Sequence, residues 1–344
     1  MVTVITALIL FGIIVLAHEL GHFLSANLVG IPAEEFAIGM GPKIYQHEGK
    51  KTIFSIRALP IGGFVRFIGE EEQSDDARAF HKASIWKRFL VILSGPLMNF
   101  MLAVLLLTIF FACFDTYQPS TKILEVVDGS PAMVAGLEPG DKITSVNNIT
   151  INQGDENKGV EIFKDIISRE GNNPINIVYT REGQTKTLEL KPEYSPERQT
   201  YEIGIVFGEL RRYSIFPSIK LAFMQTGKLI IIMIQLVGSL IFKGQGLREV
   251  VGPVGIIGEI GKAVRSGIQD VINFAIVITL NLGIMNLIPF PALDGGKLAL
   301  LAVEGLRGRP MDPKKEGYIH FVGFVLLMLL MVIVTFKDVT SLWS

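Results

Sequence analysis

The chain is short of cysteine and of charge. Its one thiol, Cys113, excludes an intramolecular disulfide, and its place in an apolar run says nothing of redox compartment. Only 19% of the 344 residues are charged against 49% hydrophobic, too little charge for an ordinary water-soluble protein. A formal net charge of −1 removes the electrostatic case for a nucleic-acid partner. No charged residue occurs from Val2 to Ala17, and no basic stretch precedes that run. A secretory signal would have both a basic start and a cleavage site, so the run reads as a retained first transmembrane helix.

What the run leads into is His18-Glu19-Leu20-Gly21-His22, an H-E-x-x-H motif. On a helix, residues four apart share a face, so His18 and His22 can point at one ion with Glu19 a step round. Two imidazoles at that spacing suit a tetrahedral divalent cation, most often zinc, completed by a third protein ligand and water. Glu19 is then placed as the base that takes a proton from that water. A satisfied core histidine is the commoner fate of a lone His on an apolar helix. Two of the chain's five histidines at ligand spacing, in hydrocarbon, weigh the other way.

Three further runs can span a bilayer: Phe89 to Phe114, Val271 to Leu293 and Gly317 to Phe336, uncharged for 26, 23 and 20 positions. Leu229 to Phe242 is uncharged for only 14, which fits a membrane-surface or partly inserted helix, although counting from Leu221 with Lys228 snorkelling makes a span possible and length alone does not decide between them. The expected fold is therefore a polytopic α-helical membrane protein of about four transmembrane helices. Its segments are 1–30 with H-E-x-x-H, 89–114, 268–300 and 317–337, with amphipathic helices over 214–265.

Residues 31–88 read as a re-entrant, β-hairpin region in which 43–47 and 51–57 flank Glu48-Gly49-Lys50. An exposed strand edge there could hold a substrate extended, with Ile53 and Ser55 as the candidates. Glu70-Glu71-Glu72 with Asp75-Asp76 reads as a solvated loop. Residues 120–207 are polar and β-rich, with one amphipathic helix at 159–170. Gly129 to Ile143 resembles the signature of a PDZ domain, giving an inserted α+β unit. Tyr201-Glu202-Ile203-Gly204-Ile205 there resembles a carboxylate-binding loop and is equally a closing strand.

In the stretch Asn281 to Gly296, Pro289 and Pro291 stop the helix before Asp294 and leave its carboxylate on irregular backbone. Asp294 could cap a span, but beside H-E-x-x-H it is the best third ligand. Lys and Arg concentrate in 31–88 and 307–315, which places both cytoplasmically and the 120–207 unit outside. With 229–242 not crossing, Asp294 then reaches the same side as the histidines.

H-E-x-x-H on the first span, Asn281 through Leu293-Asp294-Gly295, and a PDZ-like unit between spans resemble the site-2 protease family of intramembrane zinc metalloproteases, of bacterial RseP/RasP type. Gly95-Pro96-Leu97-Met98-Asn99 matches a family G-P-x-x-N pattern. The resemblance implies an enzyme binding one Zn²⁺ per chain through His18, His22 and Asp294, with Glu19 as the base. It implies that Asn281, Asn286, Pro289 and Pro291 line the substrate path and that Asn99 supports the site.

It also implies a bacterial cytoplasmic (inner) membrane location, multi-pass, with the PDZ domain extracytoplasmic and the active site toward the cytoplasm. The implied partners are the lipid bilayer, single-span membrane substrates (anti-sigma factors or remnant signal peptides) and an upstream site-1-type protease. Two other classes are weighed. A PDZ membrane scaffold leaves the His, Glu and Asp residues unexplained, and a proton-coupled transporter lacks an internal repeat.

Overall fold

The computed structural model describes residues 2–70, 74–151, 154–244, 251–309 and 311–341. The chain forms two compact units, one of residues 1–112 with 214–344 and one of Cys113–Tyr213.

The first unit is built on apolar helices. α1 (Val2–Val29) buries Ala7, Leu10, Ile14, His18, Gly21, His22 and Ala26, a stripe at three- and four-residue spacing that runs straight into the histidines. Ile5, Ile9, Ile13, Leu20 and Leu24 on its other faces are exposed, as a lipid-facing surface requires. β1 (Ala33–Glu48) and β2 (Ile53–Phe67) follow, then α2 (Ile85–Cys113), whose buried stripe of Val91, Ile92, Gly95, Pro96, Asn99 and Ala103 meets that of α1.

β1 and β2 make more than a hairpin. Glu48 pairs with Ile53 and Lys43 with Arg57, as the pattern predicts. Residues 33–38, however, lie between two stretches of β2: Glu35 stands opposite both Ile53 and Arg66, and Ala37 opposite both Ser55 and Phe64. Ile53 and Ser55 thus have neighbours on both sides, and Ser55 is buried. They are interior positions and not the free edge expected of them. Two stretches have an unpaired side, 43–48 at one edge and Gly63–Phe67 at the other, and the second is the one that lies beside α1.

Glu35 pins this sheet together. Its carboxylate, buried in the sheet, accepts from Ser55 Oγ (2.6 Å), Arg57 Nη2 (2.8 Å) and Arg66 Nη2 (2.7 Å). Burial pushes the Glu35 pKa up, but the Ser55 and Arg57 hydrogen bonds and the Arg57 and Lys43 charges outweigh it and hold it at about 2. A depressed carboxylate contributes stability above its unfolded value of about 4.5, and loses it as pH falls toward 2. Glu35→Gln is accordingly expected to weaken the sheet by about 2 kcal/mol at pH 7. The difference from wild type should vanish by pH 2–3 when amide exchange in residues 33–67 is followed. A difference independent of pH would refute this account.

The second unit is α+β. Its sheet has strand order β10-β3-β4-β6-β7, with β3 Thr116–Val126, β4 Lys142–Val146, β6 Ile175–Arg181, β7 Gln184–Leu190 and β10 Ile205–Arg211. β5 (Ile149–Thr150) pairs with β4, and β8 (Glu193–Ser195) with β9 (Thr200–Glu202). α3 (Pro131–Val134) is capped by Ser130, and α4 (Glu156–Glu170) by Asp155, whose side chain accepts from the N–H groups of Asn157 and Lys158. Ile123, Ile143, Ile175, Ile177 and Phe163 form the core. Residues 201–205 divide between β9, a loop at Ile203-Gly204, and the start of β10, which is an edge of the sheet.

The chain then returns to the first unit as α5 (Ile215–Lys243), α6 (Pro253–Ser266), α7 (Ile268–Leu287), α8 (Asp294–Arg307) and α9 (Pro313–Ser341). α7 stops where Ile288, extended ahead of Pro289, leaves the helix, so the third spanning segment ends before Asp294 and α8 is a separate helix. Among the described residues five helices are long and apolar enough to cross a membrane, one more than expected. The additional one is α5: the 14-residue run at 229–242 is the second half of a continuous 29-residue helix.

Candidate metal centre

Small residues bring α1 and α2 into contact where the histidines lie. An added Cβ on Gly21 would come 2.8 Å from the Ser94 carbonyl carbon, and one on Gly95 would collide with the His22 ring. Ser94 Oγ donates to the Gly21 carbonyl at 2.9 Å and locks the crossing. α7 packs on the same stripe through Thr279, whose hydroxyl donates to the Asn99 carbonyl at 3.2 Å. The turn after α7 then carries Asp294 to the first position of α8.

Three ligand atoms converge there. His18 Nε2 lies 3.2 Å from His22 Nε2, and Asp294 Oδ2 lies 3.1 and 3.4 Å from them. Tetrahedral zinc with ligands at ~2.0–2.1 Å needs donor atoms ~3.3 Å apart. The tautomers agree. His22 Nδ1 donates to the Val91 carbonyl (2.8 Å), which leaves Nε2 a bare lone pair. His18 Nδ1 faces the Asn99 amide nitrogen at 3.3 Å while Asn99 Oδ1, fully buried, has no partner. Turning that amide over lets Oδ1 accept from His18 Nδ1–H and frees His18 Nε2 as well. Two lone pairs and an anionic oxygen that has no hydrogen-bond partner then face one another, and only a cation satisfies all three.

Glu19 is outside this triangle. Its Oε2 accepts the Val65 N–H at 3.1 Å, so the carboxylate bridges the metal centre and the free edge of strand Gly63–Phe67. A cavity of about 280 Å³ joins them, lined by His18, Glu19, His22, Phe64, Val65 and Asn286 among others. Asn286 reaches to 3.5 Å from His18 Nε2. Asn281, Pro289 and Pro291 do not line this cavity, and Asn281 is exposed on the far side of α7. Ile53 and Ser55 are likewise absent from it.

Three features escaped the sequence reading. Val65 and Phe64 form the edge in place of Ile53 and Ser55. Glu70, read as solvated, pairs with Lys297 at 2.6 Å and ties the end of β2 to α8, while Glu71 and Glu72 lie outside the described residues. Arg88 and Glu304, both buried, pair to join α2 to α8. An H-E-x-x-H helix met by a turn that brings a carboxylate as third ligand defines a class, a metallopeptidase set among membrane-length helices.

Comparison with known proteins agrees. The model of Peptidase family M50 matches residues 6–330. A protein of Clostridium acetobutylicum named as a zinc metalloprotease is 36% identical over 98% of this chain and 97% of its own length. The zinc metalloprotease RasP of Shouchella clausii is 32% identical, with 99% and 100% covered. The solved PDZ domain of an SdrC-like protein from Listeria monocytogenes overlaps 27% of this chain and 90% of its own, at 22% identity and a TM-score of 0.23. The chain belongs to Peptidase family M50, the site-2 proteases. It is a membrane-embedded zinc metalloprotease.

Proposed function

We propose that this protease cuts the membrane-spanning segments of single-span substrates, with one zinc per chain held by His18, His22 and Asp294. The observation that carries the reading is the triangle of 3.1, 3.2 and 3.4 Å between ligand atoms on one hydrocarbon-length helix, α1, and the turn that opens α8. Zinc, when bound there, polarises the scissile carbonyl and acidifies the attacking water. Glu19 takes that water's proton on its carboxylate and delivers it to the leaving amine. Asn99 fixes the His18 ring, and Asn286 lines the reacting centre.

A helical substrate hides its carbonyls in its own hydrogen bonds and must be extended before attack. The free edge of Gly63–Phe67 supports pairing with such an unwound stretch, because the Val65 N–H already points at Glu19 and not into the sheet.

Four crossings suit the site: α1, α2, α7 and α9. α6 is tied to α9 by Asp338, which accepts from Gly252 and Gly255, about 27 Å of helix beyond His320. The first half of α5 clusters with Ala103, Val104 and Leu107 of α2 and with Ile276 and Leu280 of α7, toward that same end. Were α5, about 43 Å long, to cross, residues 244–252 would have to recross the hydrocarbon nearly fully extended. Bare backbone finds no partners there. The basic loops at 31–88 and 307–315 then lie in the cytoplasm of a bacterial cell with the metal end of the helices, and residues 120–207 lie outside.

The outer unit reads as a PDZ domain. A cavity of about 280 Å³ between α4 and residues 200–207 sits beside Ile203-Gly204-Ile205 and the open edge of β10. That is suited to docking the new C-terminus left by a site-1-type protease, whether on an anti-sigma factor or on a remnant signal peptide.

The test is cleavage of a single-span model substrate by purified protein in detergent. Wild type should cut within the apolar segment, and the chelated protein should not. Val65→Pro, which removes the edge donor but is tolerated on an edge strand, should lower kcat/KM at least tenfold with zinc retained. Cleavage that survives chelation would overturn the metalloprotease reading of the site. Full activity in Val65→Pro would overturn only the edge-pairing part.

A further inference from the structure

The turn that presents Asp294 is strained, and a residue of α9 holds it. Among the described residues five non-glycine positions have positive φ: Asn147, Asn148, Glu182, Gln199 and Ala292. The first four lie in turns of the outer unit. Ala292, at φ 77°, is the one with no polar side chain to compensate locally, and it stands two residues before Asp294. Its N–H donates to His320 Nδ1 at 2.9 Å. One helical turn further along α9, Gly323 sits so close that a Cβ there would come 2.5 Å from the Pro291 carbonyl oxygen. α9 therefore grips the turn at two points. Most of its other side chains, among them Phe321, Phe324, Val325 and Leu329, are exposed.

The bond also fixes the imidazole. Nδ1 accepts, so the ring proton is on Nε2, which is buried and has no hydrogen-bond partner among the described residues. His320 lines a cavity of about 700 Å³ beside the metal centre together with Arg88, Lys297, Glu304 and Glu316. An imidazole that leaves one nitrogen unsatisfied while the other serves a strained alanine amide is committed to that amide.

We propose that His320 is a positioning residue for the metal centre, holding Ala292 in the left-handed conformation that aims the Asp294 carboxylate at His18 and His22. This rests on Asp294 being the third zinc ligand. Through it α9, most of whose side chains are exposed, sets the geometry of a site it does not touch.

The experiment is zinc affinity by chelator competition on full-length protein in detergent, with kcat and KM for a single-span substrate measured alongside. His320→Ala should weaken zinc binding by about 10- to 100-fold, as loss of a partner behind a ligand does, and lower kcat more than it raises KM. His320→Asn, whose side-chain oxygen can accept the same N–H, should recover to within about fivefold of wild type. Adding Ala292→Gly to His320→Ala should restore most of the affinity, because glycine takes a positive φ without cost. A packing role for His320 would give no such rescue. Wild-type zinc affinity in His320→Ala, or a double variant no better than the single one, would overturn the proposal. Asp294→Asn run in parallel must lose zinc; if it does not, the ligand assignment itself fails whatever His320 does.

Discussion

Replacing Glu19 by glutamine is expected to lower kcat by about 10³-fold while the protein keeps its zinc. Both halves follow from where the side chain sits. Its carboxylate is not one of the three converging ligand atoms and makes no hydrogen bond to His18 or His22, so the metal loses nothing that held it. The amide oxygen of glutamine can still accept from the Val65 N–H at 3.1 Å, so the edge strand keeps its place. What disappears is the ability to take a proton, and general-base catalysis contributes roughly 10²- to 10⁴-fold. Zinc content and single-turnover cleavage of a single-span substrate measure the two halves separately. Loss of zinc in Glu19→Gln would make Glu19 part of the metal site. Unchanged turnover with zinc present would remove it from the reaction.

The centre was legible in the sequence because its geometry is local. Four residues is one helical turn, so His18 and His22 had to share a face, and two prolines before Asp294 had to end a helix. The face of α7 was readable too, though it needed its period applied. Thr279 and Asn286, seven apart, fall on one side, whereas Asn281 is turned some 200° from Thr279 and so faces away. Composition alone could not make that distinction.

The edge strand was beyond reach for another reason. Which stretch of β2 is left unpaired depends on residues 33–38 inserting between 53–56 and 63–67, and that register is set by Glu35 gathering Ser55, Arg57 and Arg66. Nor does any pattern announce that Glu70 finds Lys297, or that His320 finds Ala292, across such separations. A run of acidic residues is ordinarily solvated, and one histidine on an apolar helix carries no signal of its own. The uncharged run at 229–242 understates α5, and the longer alternative from Leu221 is nearer the helix formed, because exposed Lys228 interrupts the charge pattern without interrupting the helix.

Gly95→Ala sets two magnitudes against each other. By helix propensity alone the change should help, since alanine in a helix interior is worth up to about 1 kcal/mol over glycine. At this position the added methyl would collide with the His22 ring and lie 2.9 Å from His18 Cε1. Neither ring can yield freely: His22 is tied to the Val91 carbonyl, and the crossing of α1 and α2 is tied by Ser94 to Gly21. The helices must part or the rings must turn, and either spoils a triangle whose donor atoms need spacing near ~3.3 Å. Structural zinc sites are worth about 10 kcal/mol or more, so even partial loss of ligand geometry outweighs the propensity gain. The expected result is bound zinc below about a tenth of wild type and at least a hundredfold loss of cleavage, with helical content by circular dichroism unchanged, since losing one ring's alignment typically costs 10- to 100-fold. Gly12→Ala on α1 is the matched control: no atom lies within 4 Å of its added Cβ, and zinc and activity should both be retained. Normal zinc in Gly95→Ala would mean that α1 and α2 part readily, and that His18 and His22 are not held in place by the helix crossing.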